Sequence, residues 1–437
     1  MQKNRKNFCF SAFSLKIEVL ICPEGVKIVG RKEKKPADRA KQAAKLQTRK
    51  KQQLHRKLLH VFFSLLLLAA FVFVGYKWAY PYYQKWEQHQ EMLRSRPKVQ
   101  LAGDGTSTSA AWHNLNAYHE GLKQHYGFVY RAAYETPAQT TVGVDYVIPG
   151  LAETPAYDYV KKRVTAADAM TPQGIAIAYN YMLITAYDAN HTHASVIYVL
   201  DKNTGKYLKT IHLPGRPHVG GIAYDPKGMQ IWITGSKDDQ SALMSFSLAK
   251  LIEYVTTNKS AGEAINYDVD IPITSIVKAS TLAYYDDQLF VGYFNEDGHG
   301  KVASYKIARS GKYKNTITTS EITSVNDSVA WSDPDGSTSM NKQIQGLAIY
   351  GNKIFLSQSY GSKDSRLYIF PVTAIKNLDE KNAEQVVTMP PYLEQIIAYN
   401  GQLICLFESG SAEYATPRIT VMDRTLSVNI NALLDNN

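Results

Sequence analysis

Cysteine is scarce in this chain: Cys9, Cys22 and Cys405 are the only three in 437 residues. A disulfide-stapled scaffold and a paired-cysteine metal site are therefore excluded. The segment after residue 100 also lacks a G-x-S-x-G nucleophile elbow, a phosphate loop and a dinucleotide fingerprint, and the stretch GDGTSTS is a spacer, not a phosphate cradle. Excess charge is missing from most of the chain as well. The formal net charge of +10 comes from residues 1–57, which hold 17 Lys and Arg against 4 Asp and Glu; the remainder holds 32 against 35. With its basic character confined to a tail, the main part of the chain loses the electrostatic footprint of a nucleic-acid binder.

One long apolar run is present. LLHVFFSLLLLAAFVFVGY, Leu58–Tyr76, carries no formal charge and as a helix spans roughly 28 Å, the thickness of a bilayer core. Arg56 and Lys57 abut its start, behind a basic stretch from Arg31, and Trp78, Tyr80, Tyr82, Tyr83 and Trp86 follow its end. The positive-inside rule then places the tail in the cytoplasm and the aromatics at the far interface of a cell membrane. No small-x-small cleavage site follows the run, so it reads as an uncleaved anchor. The tail reads as helical from about Ala37, suited to touch anionic lipid headgroups. Val26 opens a cleaner basic run and is a second candidate for the start of the chain. On this topology Cys9 and Cys22 lie across the membrane from Cys405, which reads as a buried thiol in an apolar strand.

The expected organisation is thus a basic tail (1–57), a membrane helix (58–76), a juxtamembrane stalk and linker (77–111) and an extracytoplasmic domain (112–437). The stretch after Pro81 suits a short helical stalk, and LAGDGTSTSA at 101–110 has the composition of a flexible spacer. Trp112, Leu115, Tyr118 and Leu122 recur at helical spacing and predict one amphipathic helix.

From Tyr126 the pattern becomes all-β: short Val-, Ile-, Tyr- and Thr-rich segments between Gly, Asp and Asn turns. A strand phrase recurs as QGIAIAY, GGIAYD, STLAYYD, QGLAIYG and QIIAYNG, at spacings of 47, 60, 65 and 50 residues. Each is followed by an apolar second strand and, after a polar loop, by a third; YLKTIHLP and EQVVTMP supply fourth strands. Four-stranded units that cannot bury their own faces are satisfied by radial stacking, which predicts a β-propeller of five to six blades. GFVYRAAYE and TTVGVDYVIPG are candidates for a sixth blade or a closing strand. A two-sheet sandwich is the alternative, but it does not account for the repeated phrase.

The run SVIYVLDKNTGKYLKTIHLPGRPHVGGIAYDPKGMQIWITG, residues 195–235, resembles the repeats of YVTN-type and quinoprotein-like β-propellers. The resemblance implies a fold; relatives bearing it include enzymes and binding scaffolds, and no quinone-binding motif accompanies it. Asp201, Thr204, Gly205, Gly221 and Pro226, which carry it, read as turn residues.

In a propeller, the loops entering each first strand and those joining second to third strands share one face around the central channel. This groups Gln173, Arg216, His218, Lys278, Gln343, Gln345, Glu394 and Glu408 as a ligand-binding ring. His218, beside two glycines, is the catalytic candidate because an imidazole suits acid–base work near neutral pH. His191 and His193 form an H-x-H pair, and with His299 or His218 they have the donors for a divalent metal; no cofactor is otherwise indicated. The leading expectation is a binding module for an extracellular small molecule, glycan or protein. The alternatives are a metal-assisted lyase or hydrolase acting on an extracellular or cell-wall compound, and a structural part of a cell-envelope complex.

Overall fold

The computed structural model describes residues 36–237, 240–255, 263–273, 278–295, 300–312, 314–317, 329–330, 343–376 and 378–435. It divides by internal contacts at Pro81, after a first unit that ends there and before a second running Tyr82–Asn437. Helix α1 (Pro36–Arg94) passes through Pro81, and its apolar stretch is exposed throughout and long enough to cross a membrane as a single span.

The second unit is a five-bladed β-propeller. Outside the blades, β1 (Thr154–Asp158) and β2 (Arg163–Ala167) form a separate hairpin. The first blade is β3 (Met170–Ala178), β4 (Tyr181–Asp188), β5 (Val196–Asp201) and β6 (Tyr207–His212). The second is β7 (Ile222–Asp225), β8 (Gln230–Lys237), β9 (Gln240–Ser247) and β10 (Val269–Pro272); the third is β11 (Ala279–Tyr285), β12 (Gln288–Tyr293), β13 (Lys301–Lys306) and β14 (Val329–Ala330). The fourth is β15 (Ile344–Tyr350), β16 (Lys353–Gln358), β17 (Ser365–Pro371) and β18 (Gln385–Met389), and the fifth is β19 (Leu393–Tyr399), β20 (Gln402–Phe407) and β21 (Leu426–Asn429). The innermost strands β3, β7, β11, β15 and β19 touch in that cyclic order, and β19 returns to β3.

The core lies between blades, as radial stacking requires. Ile175, Met182 and Tyr198 of the first blade pack on Ile404 and Leu406 of the fifth. The same arrangement recurs at every seam: Leu183 with Ile233, Trp232 with Val291, Phe290 with Leu356, and Phe355 with Leu403. Removing one such side chain opens a cavity in a close-packed seam.

The fifth blade is completed from the other end of the chain. Ile148 donates its N–H to Asp423 O, and Thr425 donates to Tyr146 O, so residues 146–148 run antiparallel beside the approach to β21. TTVGVDYVIPG therefore supplies a closing strand, and no sixth blade forms among the described residues. GFVYRAAYE departs from its expected strand character: Gly127–Tyr130 is a short α-helix and Arg131–Glu135 a π-turn. Tyr130 and Tyr134, one helical turn apart, pack around His119 in edge-on and tilted contacts, while Ala132 and Ala133 are buried against the fifth blade. Tertiary packing there outweighs β propensity. The predicted amphipathic helix is α2 (Leu115–His125), capped by Asn114 and burying Tyr118 and Leu122.

The spacer at 101–110 is also built into the fold. Thr106 and Ser107 are buried, Ser107 pairs with Glu153 through its backbone, and the Tyr207 hydroxyl of β6 donates to Asp104. The small polar residues form a tight turn over the outer strand of the first blade, so a flexible-linker reading does not hold for them.

Candidate functional site

Each innermost strand enters the ring from the same face, and four of the five carry a register shift on entry: before Gly174, before Thr281, before Gly346 and before Ile396. A bulge re-aims side chains toward the axis. Counting back from the turns that close each first hairpin aligns Gly174, Gly221, Thr281 and Gly346 with Gln395, and aligns Gln173 and Gln345 with Glu394. The fifth blade is thus offset by one residue from the alignment that the phrase QIIAYNG suggests.

That offset explains how the channel is closed. Gln395 is buried, and its amide reaches across the axis. Oε1 accepts from the N–H groups of Ile175 (3.2 Å) and Ile222 (3.0 Å), and Nε2 donates to the carbonyls of Ile222 (2.7 Å) and Leu282 (2.8 Å). One side chain from the fifth blade ties the first three together. The glycines make room for this convergence: a Cβ on Gly221 would lie 2.5 Å from Leu282 N, and one on Gly174 would lie 2.9 Å from Gln395 Oε1. Gly221 is therefore a close-approach residue, not a turn residue. A hydroxyl on the second strand completes the joint: Thr185 accepts from Gly174 N and donates to Val219 O of the next blade, and Ser357 donates to Glu394 O.

Above this plug lies the channel mouth. Gln173 Nε2 donates to Glu408 Oε2 at 2.8 Å, and Glu394 lies against Glu408 in hydrogen-bonding contact. Burial is the main cause that raises both carboxyls above the usual range, and for Glu394 the second is the neighbouring Glu408 charge. Each disfavours ionisation of the other, so the two titrate as a unit. Tyr187, Tyr392 and Tyr414 line the same region: Tyr392 stacks on Tyr414 at 4.8 Å, and Tyr187 meets the Tyr414 hydroxyl. Glu413 adds a third carboxyl within electrostatic reach of Glu408.

His218 packs against Tyr187, ring centroids 4.3 Å apart, and is open to solvent although the walls of the mouth surround it. Its pKa is lowered, first by that surrounding protein and then by Lys278 and His191. Lys278 lies over the Phe294 ring at 5.3 Å.

The remaining predicted positions separate. Arg216 turns outward, donating to His191 O and lying over Tyr159. Gln343 is held by its backbone, which donates to Asn295 O and accepts from Ser359 N, and it lines a separate cavity with Tyr360, Lys363 and Arg366. Gln345 occupies the fourth-blade position equivalent to Gln173. His191 stacks on Tyr187, whereas His193 is buried with Nδ1 2.8 Å from Asp188 Oδ2 and Nε2 2.9 Å from the Thr165 hydroxyl. With both nitrogens of His193 engaged, it ties the β1–β2 hairpin to the first blade. Among the described residues no group of three or more His, Cys, Asp or Glu is placed to hold a metal, and His299 lies outside those residues. Cys405 is buried in β20, where burial raises its thiol.

Tyr187 and Tyr414 were not marked by sequence. Each ends or follows an unremarkable segment, and only their convergence across the ring distinguishes them from the other tyrosines.

No family model and no curated protein matches the chain. Among solved structures, similar ones include Kuenenia stuttgartiensis hydrazine synthase (9% identity, TM-score 0.30, covering 55% of this chain and 56% of that one) and the Dos1 propeller (10%, 0.29, 59% and 60%). A GH43 glycoside hydrolase engineered for endo-xylanase and exo-arabinofuranosidase activity is similar at 11% identity and a TM-score of 0.35, over 55% and 48%. The chain thus spans less than two thirds of each, at identities that carry no function.

Proposed function

We propose that this chain is a single-pass membrane protein with its basic tail in the cytoplasm and its propeller outside, and that the propeller binds a ligand at the channel mouth. The observation that carries this reading is the convergence of Gln173, Glu394 and Glu408, with Tyr187, Tyr392 and Tyr414, from opposite ends of the β region onto one partly open spot. A plugged channel beneath them makes the mouth a blind, aromatic-walled end of the channel, where a few convergent polar groups can orient a ligand. Its placement outside follows from the charge asymmetry around the apolar helix. Likeness to YVTN-type and quinoprotein-like propellers, strongest over residues 195–235, which run from the outer strands of the first blade into the inner strands of the second, fits a scaffold whose use depends on its mouth.

The test is a thermal-shift screen of the full-length protein in nanodiscs against soluble extracellular compounds, neutral, acidic and basic. A compound that stabilises the wild type and loses its effect in Gln345→Ala and Tyr187→Ala supports the reading. Stabilisation that both variants retain contradicts it.

A further inference from the structure

The mouth holds a buried carboxyl, that of Glu394, with one oxygen left unsatisfied among the described residues. Glu394 is 1% exposed, and among the described residues no donor reaches its Oε1. Glu408 accepts from Gln173 and meets Glu394, and among the described residues neither carboxyl is ion-paired with Lys, Arg or His. Burying acidic groups in this way is costly unless a cation or a proton compensates. The groups facing the pair are Gln173 and Tyr187 from the first blade, and Tyr392, Glu413 and Tyr414 from the fifth; His218 and Lys278 stand beyond Tyr187.

We propose, resting on the mouth being the binding site, that its ligand carries an organic ammonium group, which displaces a proton from the Glu394–Glu408 pair and takes its place against both carboxyls, with its alkyl stem against the tyrosines. An ammonium needs about three acceptors and gains from aromatic faces, and Glu394 Oε1, Glu408 and the tyrosine cluster offer both. A hard divalent cation wants about six oxygen ligands, and the described residues show no three-ligand cluster. The unpartnered Glu394 oxygen distinguishes this place from an ordinary acidic patch. It is an acceptor held out of water, facing a carboxyl that keeps an edge open to solvent.

Butylammonium titrated by calorimetry into the full chain in nanodiscs tests this, with tetramethylammonium and calcium as comparison probes. Butylammonium is expected to bind, to weaken by about tenfold or more in Glu408→Gln and in Glu394→Gln, and to weaken as pH falls and protons compete for the pair. Near-UV circular dichroism of both variants reports whether the tyrosine cluster keeps its packing, and Gly103→Ala, with open space around it and no part in the mouth, serves as the variant expected to bind unchanged. Absence of butylammonium binding, binding that survives both Gln variants, or calcium binding that butylammonium does not displace overturns the proposal. A neutral or acidic compound recovered from the thermal-shift screen, and dependent on Tyr187, overturns the ammonium assignment while leaving the mouth as the binding site.

Discussion

At the scale of single residues, Gln395 does what no other side chain in the ring does, because it occupies a position held elsewhere by Gly174, Gly221, Thr281 and Gly346. Gln395→Leu keeps the volume but strips partners from Ile175 N, Ile222 N, Ile222 O and Leu282 O. Each orphaned buried group costs about 1–3 kcal/mol, so chemical denaturation is expected to show a loss of about 4 kcal/mol or more. Gly221→Ala is expected to be similarly severe, since the new Cβ meets backbone, whereas Gly103→Ala, with open space around it, is expected to be neutral in the same assay. The carboxyl pair sets a pH dependence. A carboxyl whose folded pKa is raised contributes stability that is complete below its ordinary value of 4.5 and is lost as pH rises through the folded value. Denaturant midpoints across that range are expected to fall with rising pH in the wild type and to flatten in Glu408→Gln. Blade topology alone grouped Gln173, Glu394 and Glu408 on one face of the ring, together with Arg216, His218, Lys278, Gln343 and Gln345. The sequence did not mark Gln395 as a plug, because a one-residue offset is invisible where QIIA matches QGLA by composition.

At the scale of elements, the recurring phrase was legible as blades because each repeat must bury two faces, and alternation in its strands is strong. The ends were harder to read. RITVMDR looks like a third strand, yet the strand that pairs with β20 is Leu426–Asn429, and the segment before it is a loop anchored by Met422 N on Ser409 Oγ. That loop carries Glu413 and Tyr414 to the mouth, and it is also where His89 Nδ1 meets Ala415 O and Arg418 meets Gln88. The closing strand depends on one N–H in particular, that of Ile148. Ile148→Pro removes it and is expected to cost about 3 kcal/mol or more, with limited proteolysis cutting first near the seam between the fifth and first blades. Cleavage elsewhere, at unchanged stability, argues against closure by this segment.

At the scale of the whole molecule, an exposed apolar helix and a closed propeller of near-neutral charge are two different kinds of structure on one chain. The arrangement proposed across the membrane predicts that protease added to intact cells removes the propeller and leaves the basic tail protected; digestion of the tail from outside contradicts it. Below the plug, the far end of the channel is a cavity of about 170 Å³ walled by all five innermost strands, including Ala176, Ala223, Ala283 and Ala348. The proposed ligand sits at the opposite end. Hydrogen–deuterium exchange on the full chain, with and without a stabilising compound, separates the two faces. That placement predicts slower exchange in the mouth loops at 188–193 and 409–420 and no change in the far-face turns at 226–229, 286–287 and 400–401; protection confined to those turns would contradict it.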